Sequence, residues 1–285
     1  MSFVQFACTF GLQLLHPIAD GRWHAVRTDD KPKKRNGRYV WDGAGGAVRN
    51  MATMDNYAIF RDSHACGTID RDAIRQAASI ARKRKEERDA AAAKQANAIL
   101  VASKMVRPVA PRPYSGETGI PGHPYLVRKG FPLAVYFDFN GTLIVPMRVG
   151  HELVNVQKID ADGQKLFLSG PTKNAVCRLG NHHARQCWLV EGYATALTVR
   201  EALRIARLDA SVVCCFSAGN LKSVASLMGT HVYADNDKSG TGQSAAQATG
   251  LPWVMPPEVG MDANDLMVAQ GISAVGRTIR ELMLR

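Results

Sequence analysis

The C-terminal part of the chain alternates short apolar runs with segments of helical pattern. The first two runs are each followed by a helical pattern, over residues 194–206 and 219–228. Strands that are separated by helices of this length imply right-handed crossovers and a parallel sheet. The unbroken apolar run VVCCF suits a strand that is buried on both faces. We therefore predict a parallel α/β domain over residues 186–285, with a C-terminal helix and with strands at 188–190, 211–216 and 232–234.

The middle of the chain shows the alternation of apolar and polar residues that is typical of strands with one solvated face. Short turns separate these runs, and the last turn, around Asp162 and Gly163, favours a hairpin. Residues 1–66 mix short apolar runs with turn signals such as Asn36-Gly37, which indicates a small strand-rich unit. For the middle region we predict an antiparallel meander with strands at 142–149, 152–160 and 165–169.

A long helix is predicted over residues 71–106, because this segment has no proline and is rich in Ala, Arg, Lys, Glu and Gln. Thr68 or Asp70 can cap its start, and Pro108 ends it. Apolar side chains larger than alanine occur only toward its ends, so the pattern favours an exposed spacer helix. A second interpretation is an arm that contacts phosphates through Arg82, Lys83, Arg84 and Lys85.

These patterns give an α/β fold class, α+β over the whole chain, and divide it into five parts. The segment after the long helix contains four prolines and several small residues, which indicates a linker. The predicted parts are the strand-rich unit (1–66), the long charged helix (67–107), the linker (108–122), a basic antiparallel α+β subdomain (123–185) and the parallel-sheet domain (186–285).

The charge balance indicates a polyanionic partner. The 285 residues include 36 Lys and Arg against 25 Asp and Glu, which gives a net charge of +11. The simplest explanation is binding to nucleic acid, and the alternative is a generally soluble basic protein. The cluster KPKKR at residues 31–35 fits either a contact with nucleic-acid backbone or a solvated basic turn.

The cysteines indicate neither disulfides nor zinc. No C-x-x-C pair occurs among Cys8, Cys66, Cys177, Cys187, Cys214 and Cys215, which suits free thiols in a reducing cytoplasm. The nearest candidate zinc ligands lack the paired spacing of a structural site, so no zinc is predicted. No apolar stretch approaches the roughly 20 residues of a membrane span, so we expect a soluble protein of the bacterial cytoplasm. The candidate zinc groups are His64 with Cys66, and Cys177 with His182, His183 and Cys187.

Acidic residues follow two of the predicted strands. Glu191 comes directly after one apolar run, and Asp235 and Asp237 follow a later one. Because the ends of parallel strands share one edge of a sheet, these carboxylates are expected to converge there. Converging carboxylates repel one another unless a cation neutralises them, and hard oxygen ligands suit Mg²⁺ or Mn²⁺. Asp262 and Asp265 would extend this metal site.

Each of these acidic residues also has a purely structural interpretation. Asp235 and Asp237 fit an Asx-turn or a helix cap, and Glu191 fits a carboxylate that the dipole at a helix N-terminus stabilises. The sequence D-A-N-D, which contains Asp262 and Asp265, is also a plausible cap for the helix that follows it.

The same residues carry a family resemblance. A glutamate followed by glycine, a later Asp-Asn-Asp and the acidic cluster MDANDLMVAQG together resemble the Toprim domain, over residues 187–271. Upstream, HPYLVRKG, GTLIVPMRV and KLFLSGPTKNAVCRLG are similar in order and spacing to the stretch that precedes Toprim in phage and plasmid primases. The pieces DG-W-H and KP-NG-Y of residues 20–39 also resemble the N-terminal part of those proteins. One departure is Thr195, where many Toprim primases have an aspartate.

The resemblance implies a DNA primase, a nucleotidyltransferase that copies single-stranded DNA into short RNA primers from ribonucleoside triphosphates for phage or plasmid replication. Asp235 and Asp237 would bind metal, and Glu191 would ligate metal or act as general base. A separate helicase is the expected partner, because no G-x-x-x-x-G-K-[ST] sequence occurs. The residues expected to bind nucleotide or DNA are Arg128, Lys129, Arg148, Lys173, Arg178 and Lys238.

Two alternatives remain open. A Toprim nuclease would use the same carboxylates to activate water against a phosphodiester. A non-catalytic nucleic-acid-binding accessory protein would keep the fold without turnover. A topoisomerase is less favoured, since little chain is left for a domain with a nucleophilic tyrosine.

Overall fold

The computed structural model describes residues 1–54, 56–61, 71–111 and 118–284. The chain divides into two compact units, Met1–Ala81 and Arg82–Arg285. The predicted helix caps Thr68 and Asp70, and the zinc candidates His64 and Cys66, lie outside the described residues. The finer division into five parts stays a prediction.

The first unit contains a short N-terminal helix, a four-stranded antiparallel sheet of order β1-β2-β3-β4 and the start of the long helix. The short helix, α1, begins with a capping box between Ser2 and Gln5, and its Phe3 packs among Tyr39 and Phe60 in the core of the unit. The strands agree with the strand-rich prediction, whereas α1 was not predicted. The elements are α1 (Phe3–Thr9), β1 (His24–Val26), β2 (Gly37–Trp41), β3 (Gly45–Asn50) and β4 (Ala58–Arg61).

The long helix, α2, spans Arg71–Ala102 and ends before the predicted position at residue 106. The backbone leaves the helix because the next residues form β5 (Lys104–Val106), which pairs with β6 (Tyr136–Phe139). A sequence pattern of helix formers does not reveal such pairing with a distant strand.

The C-terminal part of α2 is packed, so the prediction of an exposed spacer is wrong for this part. Ala96 is fully buried, and Ile99 and Leu100 pack against Ile144 and Leu168 of the neighbouring sheet. Burial of this apolar stripe fixes the end of the helix to the sheet. The basic cluster farther up the helix is exposed, and two of its members pair within the helix, Arg82 with Glu86 and Lys85 with Asp89.

The second sheet is the predicted antiparallel meander, of order β5-β6-β7-β8-β9. A short helix, α3 (Pro124–Arg128), precedes it, and His123 caps this helix. Before α3, Val109 and Ile120 exchange two backbone hydrogen bonds of 3.0 Å, so the described ends of the predicted linker are paired. The remaining strands are β7 (Thr142–Val149), β8 (Glu152–Ile159) and β9 (Lys165–Phe167).

The third sheet has the order β10-β12-β11-β13-β14, and the predicted parallel arrangement is confirmed for β11, β12 and β13. A further parallel strand, β14, pairs with β13 and was not predicted. Only the edge strand β10 is antiparallel to its neighbour. The first strands and helices are β10 (Cys177–Leu179), β11 (Gln186–Val190), α4 (Tyr193–Ile205), β12 (Ala210–Cys214) and α5 (Ala218–Met228). They are followed by β13 (His231–Tyr233), α6 (Thr241–Gln247), β14 (Trp253–Val254), α7 (Ala263–Gln270) and α8 (Ile272–Met283).

Both faces of this sheet are buried, as the continuous apolar strands require. Trp188 and Val212 belong to the core on the side of α4, α7 and α8. Leu189 and Val213, the next residues along the same strands, belong to the core on the side of α5 and α6. In the described part of the chain, no helix has both the length and the apolarity to cross a membrane.

Candidate active site

The carboxyl edge of the parallel sheet brings together acidic residues that are far apart in sequence. β11 and β13 are adjacent and parallel, with Leu189 paired to Val232. Glu191 directly follows β11, and Asp235 lies just past the end of β13. Both residues therefore stand at the same edge of the sheet, where α/β proteins bind ligands.

Among the acidic residues that the structure describes, Asp235 has the least favourable electrostatic surroundings. Burial raises the pKa of its carboxyl to about 7, and the negative charges of Asp262 and Glu191 add to this rise. Of the described residues, none donates a hydrogen bond to its Oδ1, which is buried. A buried carboxylate oxygen without a partner is costly, so this position is poised to receive a proton or a cation.

The backbone around Asp235 is held in place by close packing. A Cβ added at Gly242 would lie 2.2 Å from the carbonyl oxygen of Asp235, so only glycine fits there. The next residue, Asn236, is buried and donates from Nδ2 to the carbonyl oxygen of Pro256 at 2.9 Å. These contacts fix the turn that carries the aspartates.

Glu191 shares this environment in a milder form. Burial raises the pKa of its carboxyl, the charge of Asp237 raises it further, and the backbone N–H of Ala218 at the start of α5 lowers it. A glutamate with a raised pKa is a better proton acceptor than an exposed one.

Asp237 behaves differently, because its carboxylate caps the turn that leads into α6. It accepts hydrogen bonds from the side chain and backbone N–H of Ser239 and, at 2.7 Å, from the backbone N–H of Gly242. These bonds, the Ser239 side chain first, lower the pKa of Asp237 to about 2. The contacts of the Asp237 side chain are therefore those of a turn cap, and its carboxylate stays ionised.

Asp262 and Asp265 form a capping box at the start of α7. Asp262 accepts from the backbone N–H of Asp265 at 2.8 Å, and Asp265 accepts from the backbone N–H of Asp262 at 3.3 Å. Lys129 Nζ lies 3.6 Å from Asp265 Oδ1. The charge of Asp262 nevertheless acts on Asp235.

Of the predicted ligands, Glu191, Asp235, Asp237 and Asp262 influence one another at this edge, and Asp265 is hydrogen-bonded to Asp262, but the set is not arranged as a finished metal site. Within the described ranges, no three His, Cys, Asp or Glu side chains are grouped closely enough to hold an ion. The physical reason is that Asp237, Asp262 and Asp265 direct carboxylate oxygens to backbone N–H groups.

The cations predicted to bind nucleotide or DNA differ in how accessible they are. Arg178 donates from Nη1 to Ser211 Oγ at 2.7 Å and from Nη2 to Met228 Sδ at 3.3 Å, so its guanidinium is engaged within the fold. Arg148 is exposed and donates to the carbonyl oxygen of His151 at 2.8 Å. Arg128, Lys173 and Lys238 are exposed, and Lys129 is half-buried beside Asp265.

Lys165 is not among the cations predicted from the sequence to bind nucleotide or DNA. It begins β9, and its Nζ lies 6.0 Å from the centre of the Tyr125 ring. Its positive charge lowers the pKa of both Glu191 and Asp235, so it acts on the acidic edge. The available signal was its place at the start of the stretch KLFLSGPTKNAVCRLG.

The sequence comparison points to a DNA primase. No family model matches the chain. In an alignment of 228 positions, which covers 74% of this chain, the sequence is 28% identical to the DNA primase TraC of Escherichia coli, and the alignment covers 20% of that protein. Two solved structures also align, each at 15% sequence identity: the primase fragment of the bacteriophage T7 primase-helicase protein (51% of this chain, 66% of that chain, TM-score 0.39) and a DNA primase domain from Pseudomonas aeruginosa (65% and 58%, TM-score 0.36). By sequence, this chain is therefore related to a DNA primase.

Proposed function

We propose that the chain is a Toprim-type DNA primase that joins ribonucleotides into short primers on single-stranded DNA. Its sequence relation to a DNA primase supports this proposal. The observation that carries it is the half-buried Asp235 at the carboxyl edge of a parallel sheet, whose Oδ1 is buried without a partner and whose pKa the charge of Glu191 raises. The residues 186–285 would form the Toprim domain, and a separate helicase would expose the template. We expect the protein to act in the cytoplasm of a bacterial host, during phage or plasmid replication.

The residues of this edge fit Mg²⁺ or Mn²⁺. Both ions prefer hard oxygen ligands, and a cation would satisfy Asp235 Oδ1 and offset the repulsion among Asp235, Glu191 and Asp262. Asp237 remains ionised and has further lone pairs available. When bound, the ion would neutralise phosphate charge and orient the α-phosphate for in-line attack by the 3'-hydroxyl of the primer.

The residues around the acidic edge have complementary roles in this proposal. Glu191, whose pKa is raised by burial, would accept the proton of the attacking 3'-hydroxyl. The exposed cations Lys165 and Lys238 would bind the triphosphate, and the exposed Arg128, Arg148 and Lys173 would contact the template backbone.

Primer synthesis tests the proposal directly. The protein would be incubated with Mg²⁺, labelled ribonucleotides and single-stranded templates that together contain all trinucleotides. We expect short labelled oligomers that depend on both template and metal. Cleavage of the DNA without incorporation would favour a nuclease instead, and salt-sensitive binding without either reaction would favour an accessory protein.

Lys165→Gln is expected to reduce primer synthesis about 5-fold, because one charge near the site contributes on the order of 1 kcal/mol. Removing this cation raises the pKa of Glu191 and Asp235 further, so the rise of activity with pH should move to higher pH. Steady-state rates between pH 6 and 9 measure both effects. Lys158→Gln, on the neighbouring strand β8, is the matched control and should leave the pH profile unchanged. Equal profiles for both variants would contradict this role for Lys165.

A further inference from the structure

The four-stranded sheet of the first unit has one covered face and one open face. Tyr39, Val48 and Phe60 are buried against α1. Since successive side chains of a strand point to opposite faces, the residues between them belong to the other face. Ile59, on that face, is 67% exposed. The outward positions on β1 to β4 are Ala25, Arg38, Val40, Gly45, Ala47, Arg49, Ile59 and Arg61.

Two aromatic side chains lie on the open face. Trp23 directly precedes β1, and its contact with Tyr57, which lies against the outward residue Arg49, places it on this face. Its ring centroid is 4.7 Å from that of Tyr57, and the two side chains are 48% and 47% exposed. The guanidinium of Arg49 stands 5.3 Å from the centre of the Tyr57 ring. The result is a partly exposed aromatic surface with a cation stacked on it.

The charges of this face suit a polyanion. Arg38 is directly opposite Arg49 in the β2–β3 pair, and like charges in this position destabilise a sheet. Of the strand positions that the structure describes on this face, none is acidic. Residues 1–61 contain nine Lys and Arg against five Asp and no Glu. Asp42, the acidic residue nearest in sequence to β2 and β3, accepts from the backbone N–H groups of Ala44 and Gly45 in their turn.

We propose that this open face, defined by Trp23, Arg38, Arg49 and Tyr57, binds single-stranded DNA. Unpaired bases would stack on the two aromatic rings, and phosphates would contact the two arginines. A duplex keeps its bases stacked on one another and would offer phosphates alone, so the aromatic surface favours a single strand. This binding needs neither metal nor nucleotide, and so goes beyond the proposed primase activity. In a primase it would hold template.

This site is tested by the affinity of the full chain for a labelled oligo(dT) in EDTA, measured by fluorescence anisotropy. We expect Trp23→Ala and Tyr57→Ala each to weaken binding about 10-fold, because each removes one ring on which a base can stack. Trp23→Phe should keep most of the affinity, because it keeps an aromatic ring at this position. Arg49→Gln should lower the slope of log affinity against log salt by about 1. Leu15→Ala, an exposed position outside the face, is the control and should bind normally.

Crosslinking locates the contact within the chain. An oligonucleotide that carries 5-iododeoxyuridine should crosslink to peptides that contain Trp23 or Tyr57. Crosslinks confined to residues 82–285, or full affinity in a folded Trp23→Ala/Tyr57→Ala double variant, would overturn the proposal. Tighter binding of duplex than of single-stranded DNA would also overturn it. Asp235→Asn should bind oligo(dT) normally in EDTA although it loses primer synthesis. A failure of the binding proposal can therefore be told apart from a failure of the proposed primase activity.

Discussion

Replacement of Asp235 by asparagine is expected to reduce primer synthesis at least about 100-fold. The substitution keeps the shape of the side chain and removes the negative charge that would hold the metal against the phosphates. Charge stabilisation by a catalytic metal contributes several kcal/mol, and each 1.36 kcal/mol corresponds to a factor of about 10 in rate. No other acidic residue of the described edge has a buried oxygen without a partner, so none can easily take over this role.

The rate of incorporation of labelled ribonucleotides at saturating Mg²⁺ measures this effect. Asp162→Asn is the matched control, because Asp162 is exposed in the turn before β9 and should tolerate the change. Asp237→Asn is expected to have a smaller effect on chemistry than Asp235→Asn, since the Asp237 side chain already caps the turn before α6. A folded Asp235→Asn variant that retains synthesis within a factor of 10 would remove the main support for the proposed site.

The third sheet and the position of its acidic edge are accessible to sequence reasoning for a physical reason. Strands that are buried on both faces must be apolar throughout, so runs such as VVCCF mark them without knowledge of their neighbours. Glu191 and Asp235 follow such runs, and the topology of parallel strands then places both at one edge.

Features that depend on contacts between distant segments were missed. The strand β5 follows α2 with no sequence break, and only its pairing with β6 makes it a strand. Lys165 lies on a different sheet from Glu191, so no local pattern reveals that its charge acts on that carboxylate.

The side chain of Asp237 illustrates a different difficulty. The sequence is compatible with both a metal ligand and a helix cap, and only the hydrogen bonds to Ser239 and Gly242 identify its present contacts. A given lone pair can either accept a hydrogen bond from the turn or bind a metal ion, but a carboxylate has several lone pairs. This is why one short acidic motif can serve the fold and still suit a metal.

The stability of the metal-free protein is expected to fall as pH rises from 4 to 8, and Asp235 is the main cause. Its pKa is about 7 in the folded state, against 3.8 for an ordinary aspartate, so the folded chain holds a proton that the unfolded chain releases. The stability from this group is complete below pH 3.8 and is lost as pH rises through about 7. The difference in pKa corresponds to a few kcal/mol, on the order of 4. The raised pKa of Glu191 acts in the same direction, whereas the lowered pKa of Asp237 affects stability only below this window.

Thermal unfolding of wild type and Asp235→Asn in EDTA across this pH range measures the effect. For a unit of this size, 1 kcal/mol shifts Tm by about 2–4 °C, so Asp235→Asn should unfold roughly 10 °C above wild type at pH 8 and close to it at pH 4. Mg²⁺ should raise the Tm of wild type at pH 8 by binding the folded state and should have little effect on the variant. Other titrating groups change both proteins alike, so the difference between the two curves isolates Asp235. Parallel curves of Tm against pH would mean that this carboxylate is as well solvated as an ordinary one. A cation would then not be required to stabilise its charge.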